Sequence, residues 1–469
     1  MIKKGDELSV NVIELNSEGR GVSKLEDGFV IFSTGTLPGD EALVKISKKK
    51  SSYAEAKLKD IIKPSEFRLD PVCGHFGVCG GCKIQNYDYD KQLEYKVNVV
   101  KNAIARIGGF KDLVISEAVK AEDIFFYRNK MEFSFSDDEW LTDLNSEDVK
   151  QKFALGLHVP KFHSKIVNIE KCFLQSNLSN DVLNFTREFF KSRDISVYST
   201  KTHTGYLRFL IIRQSSNTKD FMVNLITYDH DEMLMKEYCE LLRNNFPGIT
   251  TIINSISDKK AQVATGESEF VLHGSGHIFE KLRSSEDRAY EFKISPQSFF
   301  QTNTLQAEKL FKVIKEFGDF NKEDNVLDLY CGAGSISIFI SDLVAKVLGA
   351  ELVEDAVKDA NVNKEINKTE NIEFVCTDIK DFLTGNEKVK DYNKLILDPP
   401  RSGLHPKICE ILSETDFEKI IYVSCNPHTQ ARDLQIICGA GKYEIDKIRP
   451  VDMFPHTYHV ENVISLNKK

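Results

Sequence analysis

The stretch Val326-Leu327-Asp328-Leu329-Tyr330-Cys331-Gly332-Ala333-Gly334-Ser335 runs a short apolar strand into a glycine-rich turn. Glycines let a backbone approach a ligand closely, and a helix starting at Ser335 offers free N–H groups at its first turn. Around this point strands and helices alternate. Leu305 to Phe317 presents Leu310, Phe311, Val313, Ile314 and Phe317 on one helical face, and Val347–Ala350, Ile372–Val375 and Leu395–Leu397 read as further strands. That rhythm predicts an α/β unit with a doubly wound, largely parallel sheet over residues 291–469.

Such sheets keep their chemistry at the carboxyl ends of the strands. Gly332-Ala333-Gly334-Ser335-Ile336-Ser337 lacks the third glycine of a dinucleotide fingerprint. Glu351 closes the next strand, about 20 residues on, where an acid accepts hydrogen bonds from ribose hydroxyls. Asp378 follows the third strand and can cap an adenine edge, and Leu397-Asp398-Pro399-Pro400-Arg401-Ser402-Gly403 ends the fourth. Together these predict a class I S-adenosylmethionine (AdoMet) site, not a nicotinamide site. A later strand, Ile420-Ile421-Tyr422-Val423, runs into Ser424-Cys425-Asn426-Pro427 and holds a thiol at its tip. A thiolate is a strong nucleophile, but a free thiol titrates at about 8.5, so Cys425 calls for a polar or cationic neighbour; Arg432 and the histidines are the candidates.

Upstream, four short alternating segments lie between Glu7 and Leu58, with turns at Gly19-Arg20-Gly21 and Leu37-Pro38-Gly39-Asp40. They predict a small OB-like β-barrel of five strands over residues 1–64. Residues 65–290 read as a central α+β domain with a mainly antiparallel sheet, whose helix at 91–108 is expected to pack on the catalytic domain. The chain has 469 residues, enough for about three domains at roughly 100–200 each. No stretch approaches the about 20 apolar residues needed to cross a bilayer, and the N-terminal residues lack a signal-like apolar run. A cytoplasmic monomer with reduced thiols is therefore expected, without membrane or protein partners. The net charge of −9 argues mildly against nucleic acid, yet Lys45, Lys48, Lys49 and Lys50, with Arg128, Lys130, Lys161, Lys165 and Lys171, can form a local positive track.

The residues around Cys425 resemble the RNA uracil-C5 methyltransferases. The resemblance rests on Ser424-Cys425-Asn426-Pro427 with Thr429 and Arg432-Asp433, on Asp452-Met453-Phe454-Pro455-His456-Thr457-Tyr458-His459-Val460-Glu461, and on Ser295-Pro296-Gln297-Ser298-Phe299-Phe300-Gln301-Thr302-Asn303. It implies a nucleophile at Cys425, a general base at Glu461, and AdoMet contacts at Gln301, Tyr330, Glu351, Asp378 and Asp398. Carbon 5 of uracil is too poor a nucleophile to take a methyl group directly. Thiolate addition at carbon 6 makes an enolate that can, and a base must then remove the carbon-5 proton. Arg401 replaces the aromatic residue that adenine-methylating relatives carry after Pro-Pro, which favours uracil. Cys239, Cys331, Cys376, Cys409 and Cys438 are expected to be packing residues, and His456 and His459 structural or substrate-positioning.

Cys73, Cys79 and Cys82 form C-x5-C-x2-C among glycines, with Cys172 as the candidate fourth ligand. Four thiolates fit zinc or an iron–sulfur cluster by spacing alone; the resemblance implies a [4Fe-4S] cluster that supports structure and RNA contacts. It also implies that the barrel is a TRAM RNA-binding domain, with 23S rRNA preferred over tRNA as substrate. A radical-AdoMet methylthiotransferase needs a C-x3-C-x2-C motif, which is not present here. A non-catalytic RNA-binding protein leaves the nucleophile and base without a purpose.

Overall fold

The computed structural model describes residues 2–140, 153–385 and 387–469. At the N-terminus, strands Glu7–Asn11, Glu14–Leu15, Gly21–Lys24, Val30–Thr34, Glu41–Lys49 and Tyr53–Lys63 form one sheet. It has six strands, not five: the extra one, Glu14–Leu15, pairs only with Gly21–Val22 and is too short to leave an alternation in the sequence. Val10, Ile31, Ala42, Val44, Ile46, Ala54 and Ala56 fill the interior. Leu15 and Leu37 leave that interior and pack with Ile84, Tyr87, Tyr95 and Val99, docking the barrel onto a helix, α1 (Tyr89–Arg106). Tyr95 also donates its hydroxyl hydrogen to the Asn16 carbonyl at 2.8 Å.

The middle of the chain builds a seven-stranded sheet from Lys130–Ser136, Ala154–Val159, Phe162–Asn168, Leu207–Gln214, Phe221–Thr227, Thr251–Ile256 and Ser268–His273. Its pairings are antiparallel apart from Phe221–Thr227 with Thr251–Ile256, which the intervening helix Glu232–Asn245 turns parallel. A separate hairpin, Ile278–Arg283 with Ala289–Ile294, sends Ile278, Leu282, Tyr290 and Phe292 into the C-terminal core.

The C-terminal sheet comprises β1 (Asn325–Leu329), β2 (Lys346–Glu351), β3 (Ile372–Cys376), β4 (Lys394–Leu397), β5 (Lys419–Ser424), β6 (Tyr443–Val451) and β7 (Glu461–Lys468). Their order is β3-β2-β1-β4-β5-β7-β6; the first five are parallel and β7 runs antiparallel to both of its neighbours. Runs such as Ile420–Val423 are buried throughout because helices cover both faces. On one face lie α2 (Thr304–Gly318), α3 (Ser335–Ile340) and α4 (Glu354–Ile366). On the other lie α1, α5 (Ile379–Gly385), α6 (Pro406–Glu414) and α7 (Pro427–Ile437). Val100, Ala103 and Ile104 of α1 belong to this second core. The fold is that of a class I AdoMet-dependent methyltransferase, with an N-terminal β-barrel and mixed α/β sheets. Among the described residues no helix is long and apolar enough to cross a membrane.

Candidate active site

The turn after β1 holds Tyr330, Gly332 and Gly334 at positive φ (65°, 55° and 78°). A Cβ on Gly334 would lie 2.5 Å from the Phe374 ring, so this position needs glycine for space as well as for conformation. At Gly332 such an atom would meet nothing within 4 Å, leaving the backbone open towards a ligand. Glu351, at the end of β2, accepts hydrogen bonds from the N–H groups of Gly332 (3.1 Å), Leu352 (2.8 Å) and Val353 (3.0 Å). In this structure it therefore braces the turn, and ribose hydroxyls have to share or displace those contacts. Leu352 and Val353 beside it are 62% and 57% exposed, an apolar shelf of the kind a purine covers. Exposed Asp378 accepts from Asp381 N–H at the start of α5. Gln301 contributes its carbonyl to Asn129 Nδ2 at the approach to α2.

Buried Asp328 accepts from Ser337 Oγ at 2.6 Å through one oxygen, and its other oxygen has no partner. Desolvation raises its pKa to about 7. An orphaned carboxylate oxygen next to an open glycine turn fits the amino end of AdoMet, so this donor set suits the cofactor.

β5 delivers the thiol. Ser424 pairs with Asn462 across β5 and β7, and the antiparallel register carried one step further sets Cys425 opposite Glu461. The tip of β4, adjacent to β5, carries Asp398. Burial pushes Glu461 up to about 8, with Asp398 adding to the shift and Arg401 opposing it. Asp398 is pushed to about 7 by desolvation and then by Asp328. Burial, followed by Glu461 and Asp398, raises the Cys425 thiol to about 11, and Arg401 is the cation that pulls it back. The expected partners of the thiol are thus corrected: Arg432 is committed to Asp433 at 2.7 Å, and desolvation lowers His456 and His459 to about 4, leaving both neutral.

The Ser-Cys-Asn-Pro segment and α7 also hold the loop after β4. Asn426 Nδ2 and Thr429 Oγ1 donate to the Arg401 carbonyl (3.2 and 3.4 Å), and Arg432 donates to the Ser402 and Leu404 carbonyls. Buried Asp433 accepts from Leu404 N–H and from the Tyr422 hydroxyl. A Cβ on Gly403 (φ 75°) would lie 2.6 Å from Asp433 Oδ2. The loop from Asp452 to Val460 is tied to α1 through Lys96, which is fully buried, as is its partner Asp452. Tyr89 donates to Asp452, Lys96 to the Phe454 carbonyl, and His456 N–H to Gln92 Oε1. Lys96 and Gln92 sit among Val99, Val100, Ala103 and Ile104, an apolar helix face on which polar residues signal a buried partner.

Cys425 opens into a cavity of about 520 Å³. Its far wall belongs to the barrel, at Ser17–Arg20 and Thr34–Gly35, and Lys83, Lys161, Arg401, Tyr458 and His459 line the rest. A second cavity of about 500 Å³ contains Cys73, Cys79, Cys82 and Cys172 with Arg128, Lys130 and Lys171; His459 and part of its loop border both cavities. Of the expected positive track, Lys161 lines the first cavity and Arg128, Lys130 and Lys171 the second, with Lys130 paired to Glu132, whereas Lys45 and Lys48 face Glu7 and Glu55. Among the described residues no group of three His, Cys, Asp or Glu is drawn close enough for a single metal ion. The thiols nonetheless interact: desolvation, then Cys172, Cys79 and Cys73, raises Cys82 to about 12. Gly81 N–H and Gln85 Nε2 point at Cys79 and Cys82 sulfurs. Four cysteines around one cavity supply the donor set of either an iron–sulfur cluster or a tetrahedral zinc. Among the remaining cysteines Cys239, Cys331 and Cys409 are buried and Cys438 half-buried, but Cys376 is exposed, because β3 is the sheet edge and ends there.

Residues 263–469 match the family model described as tRNA (uracil-5-)-methyltransferase, and residues 3–59 match the TRAM domain. An uncharacterized RNA methyltransferase of Bacteroides thetaiotaomicron is 40% identical over 96% of this chain and 99% of its own. Another from Chlorobaculum tepidum is 38% identical over 98% of this chain and 96% of its own. Among solved structures, the Pyrococcus abyssi tRNA (uracil-54, C5)-methyltransferase, in complex with S-adenosyl-L-homocysteine, superposes with a TM-score of 0.75. It shares 29% identity and covers 98% of this chain and 100% of its own.

Proposed function

Because the chain belongs to the RNA uracil-5-methyltransferase family and is an AdoMet-dependent enzyme, we propose that it methylates carbon 5 of a uridine in 23S rRNA, with Cys425 as nucleophile and Glu461 as base. One observation carries this reading: the register of β5 against β7, carried one step beyond its last pair, sets the Cys425 thiol opposite the buried Glu461 carboxylate, and Cys425 opens into a cavity whose far wall is the N-terminal barrel. A uridine swung out of its stack enters that cavity. The Cys425 thiolate adds to carbon 6, and the ring's π electrons move onto the carbon-4 oxygen as an enolate. AdoMet, when bound, supplies the electrophilic methyl group that carbon 5 captures. Glu461 then takes the carbon-5 proton, the carbon 5–carbon 6 double bond reforms and the thiolate leaves. The high pKa of Glu461 makes it an adequate base once ionised.

Gln301, Tyr330, Glu351, Asp378 and Asp398 are assigned to the cofactor, and Asp328 joins them through its unpartnered oxygen. Cys73, Cys79, Cys82 and Cys172 would hold a [4Fe-4S] cluster, which ties the central domain to the RNA path and takes no part in methyl transfer. Cytoplasmic residence as a monomer accompanies this reading. Overall architecture does not separate the RNA classes, since the P. abyssi tRNA enzyme aligns over nearly the whole chain. That alignment supports tRNA as a second reading.

The test incubates the enzyme with 5-fluorouridine-containing fragments of 23S rRNA and tRNA. A covalent adduct at Cys425 with rRNA alone supports the proposal. An adduct with tRNA alone transfers it to the second reading, and methyl transfer by Cys425→Ala refutes both.

A further inference from the structure

Arg401 stands in an unusual electrostatic position. Its backbone is anchored by Asn426 and Thr429, both from the segment that carries Cys425. Its guanidinium reaches His459 Nδ1 at 3.2 Å and, among the described residues, forms no ion pair with a carboxylate, whereas neighbouring Arg432 is neutralised by Asp433. A guanidinium only donates, so His459 must accept through Nδ1 and carry its proton on Nε2. The imidazole therefore steers Arg401 without cancelling its charge. Arg401, His459 and Cys425 line the same cavity.

We propose that Arg401, held by neutral His459, is a catalytic residue that favours ionisation of Cys425 and then meets the negative charge that thiolate addition places on the uracil carbon-4 oxygen. The inference rests on the covalent reading of Cys425. As the sulfur lone pair forms the bond to carbon 6, charge leaves the thiolate and appears on that oxygen within the one cavity, and a fixed cation offsets both states without moving.

The charged groups around the thiol leave this role to Arg401. Glu461 and Asp398 oppose ionisation and Arg401 favours it. The barrel side of the cavity presents Glu18 with Arg20, which pair with each other at 2.6 Å, and Lys83 and Lys161 also line the cavity. His428 and Tyr458 complete the titratable lining. Lys83 is half-buried near the cysteines of the second cavity, whose charge raises its pKa against a larger desolvation.

The test needs no RNA in its first arm. Iodoacetamide alkylation of Cys425, read by peptide mass in the full-length enzyme across pH, should slow roughly three- to tenfold at about pH 8 in Arg401→Gln, since raising a thiol's pKa by one costs a factor of about 10 in thiolate. His459→Leu should show a smaller change, and His459→Asn, which keeps an acceptor near the Nδ1 position, should restore much of the wild-type profile. In the second arm kcat for methyl transfer should fall about 10²-fold in Arg401→Gln, the loss of one charge-stabilising donor, with S-adenosylhomocysteine affinity unchanged. An unchanged alkylation profile overturns the proposal, as does a rise in KM alone, which would make Arg401 a phosphate contact. In both cases an inactive Cys425→Ala leaves the covalent reading standing. An active Cys425→Ala removes that reading itself.

Discussion

Replacing Glu461 by glutamine tests the catalytic site through stability as well as activity. Glu461 is 7% exposed, and its pKa rises from 4.5 to about 8, through burial first and Asp398 second. A group that binds its proton more tightly in the folded state contributes full stability below its unfolded pKa, and that contribution is lost as pH rises through the folded value. Between about pH 5 and about pH 8 the loss at this one residue is ~3 kcal/mol, each pH step between the two pKa values removing about 1.4 kcal/mol. Glutamine does not titrate, so the variant lacks this slope. Thermal unfolding of both proteins at the two pH values should show Glu461→Gln gaining on wild type by roughly 6–12 °C at the alkaline end, taking about 2–4 °C per kcal/mol for a unit of roughly 150–250 residues. The same variant should accumulate a protein–RNA adduct, because the carbon-5 proton stays in place after methyl transfer. Parallel pH dependence in the two proteins would show that Glu461 is not held neutral by its surroundings, and the argument from burial would fail.

Gly334→Ala forces a Cβ into the Phe374 ring at a positive φ; calorimetric binding of S-adenosylhomocysteine should weaken by about tenfold or more, given roughly 1–3 kcal/mol of strain, and unaltered affinity would exclude this turn from the cofactor site. Asp433→Ala strips the acceptor from Leu404 N–H and the Tyr422 hydroxyl, at a cost of about 2–4 kcal/mol in urea unfolding from two buried donors left unpaired; a loss under about 0.5 kcal/mol, typical of surface positions, would contradict the loop's dependence on α7. Anaerobically purified protein should be brown and contain iron, and Cys172→Ser should lose both. Iron-free, colourless wild type would leave zinc or bare thiols in the second cavity.

The doubly wound sheet was readable because fully buried parallel strands are continuous apolar runs and because a glycine turn follows β1. The thiol and the acidic residues Glu351, Asp378 and Asp398 were read from the sequence as lying at strand ends, whereas the role of Glu461 came only from the family resemblance. The two-residue strand Glu14–Leu15 left no pattern to read, since two residues are too few to show an alternation. The exposure of Cys376 likewise depends on β3 being an edge. The choice of cation beside Cys425 was the main miss: Arg432 is nearer in sequence, but Asp433 claims it, and Arg401 reaches the site from the β4 loop.

Taken alone, the amino-acid sequence determined which elements form and which reactive groups stand at their ends, because periodicity, glycine turns and strand-tip residues are local properties of the chain. Only the tertiary structure decided who faces whom. The register that sets Cys425 opposite Glu461, the imidazole that leaves Arg401 charged, and the burial that pushes Glu461 to about 8 are pairings across long separations. Electrostatic energy depends on distance and desolvation, neither of which a linear sequence contains.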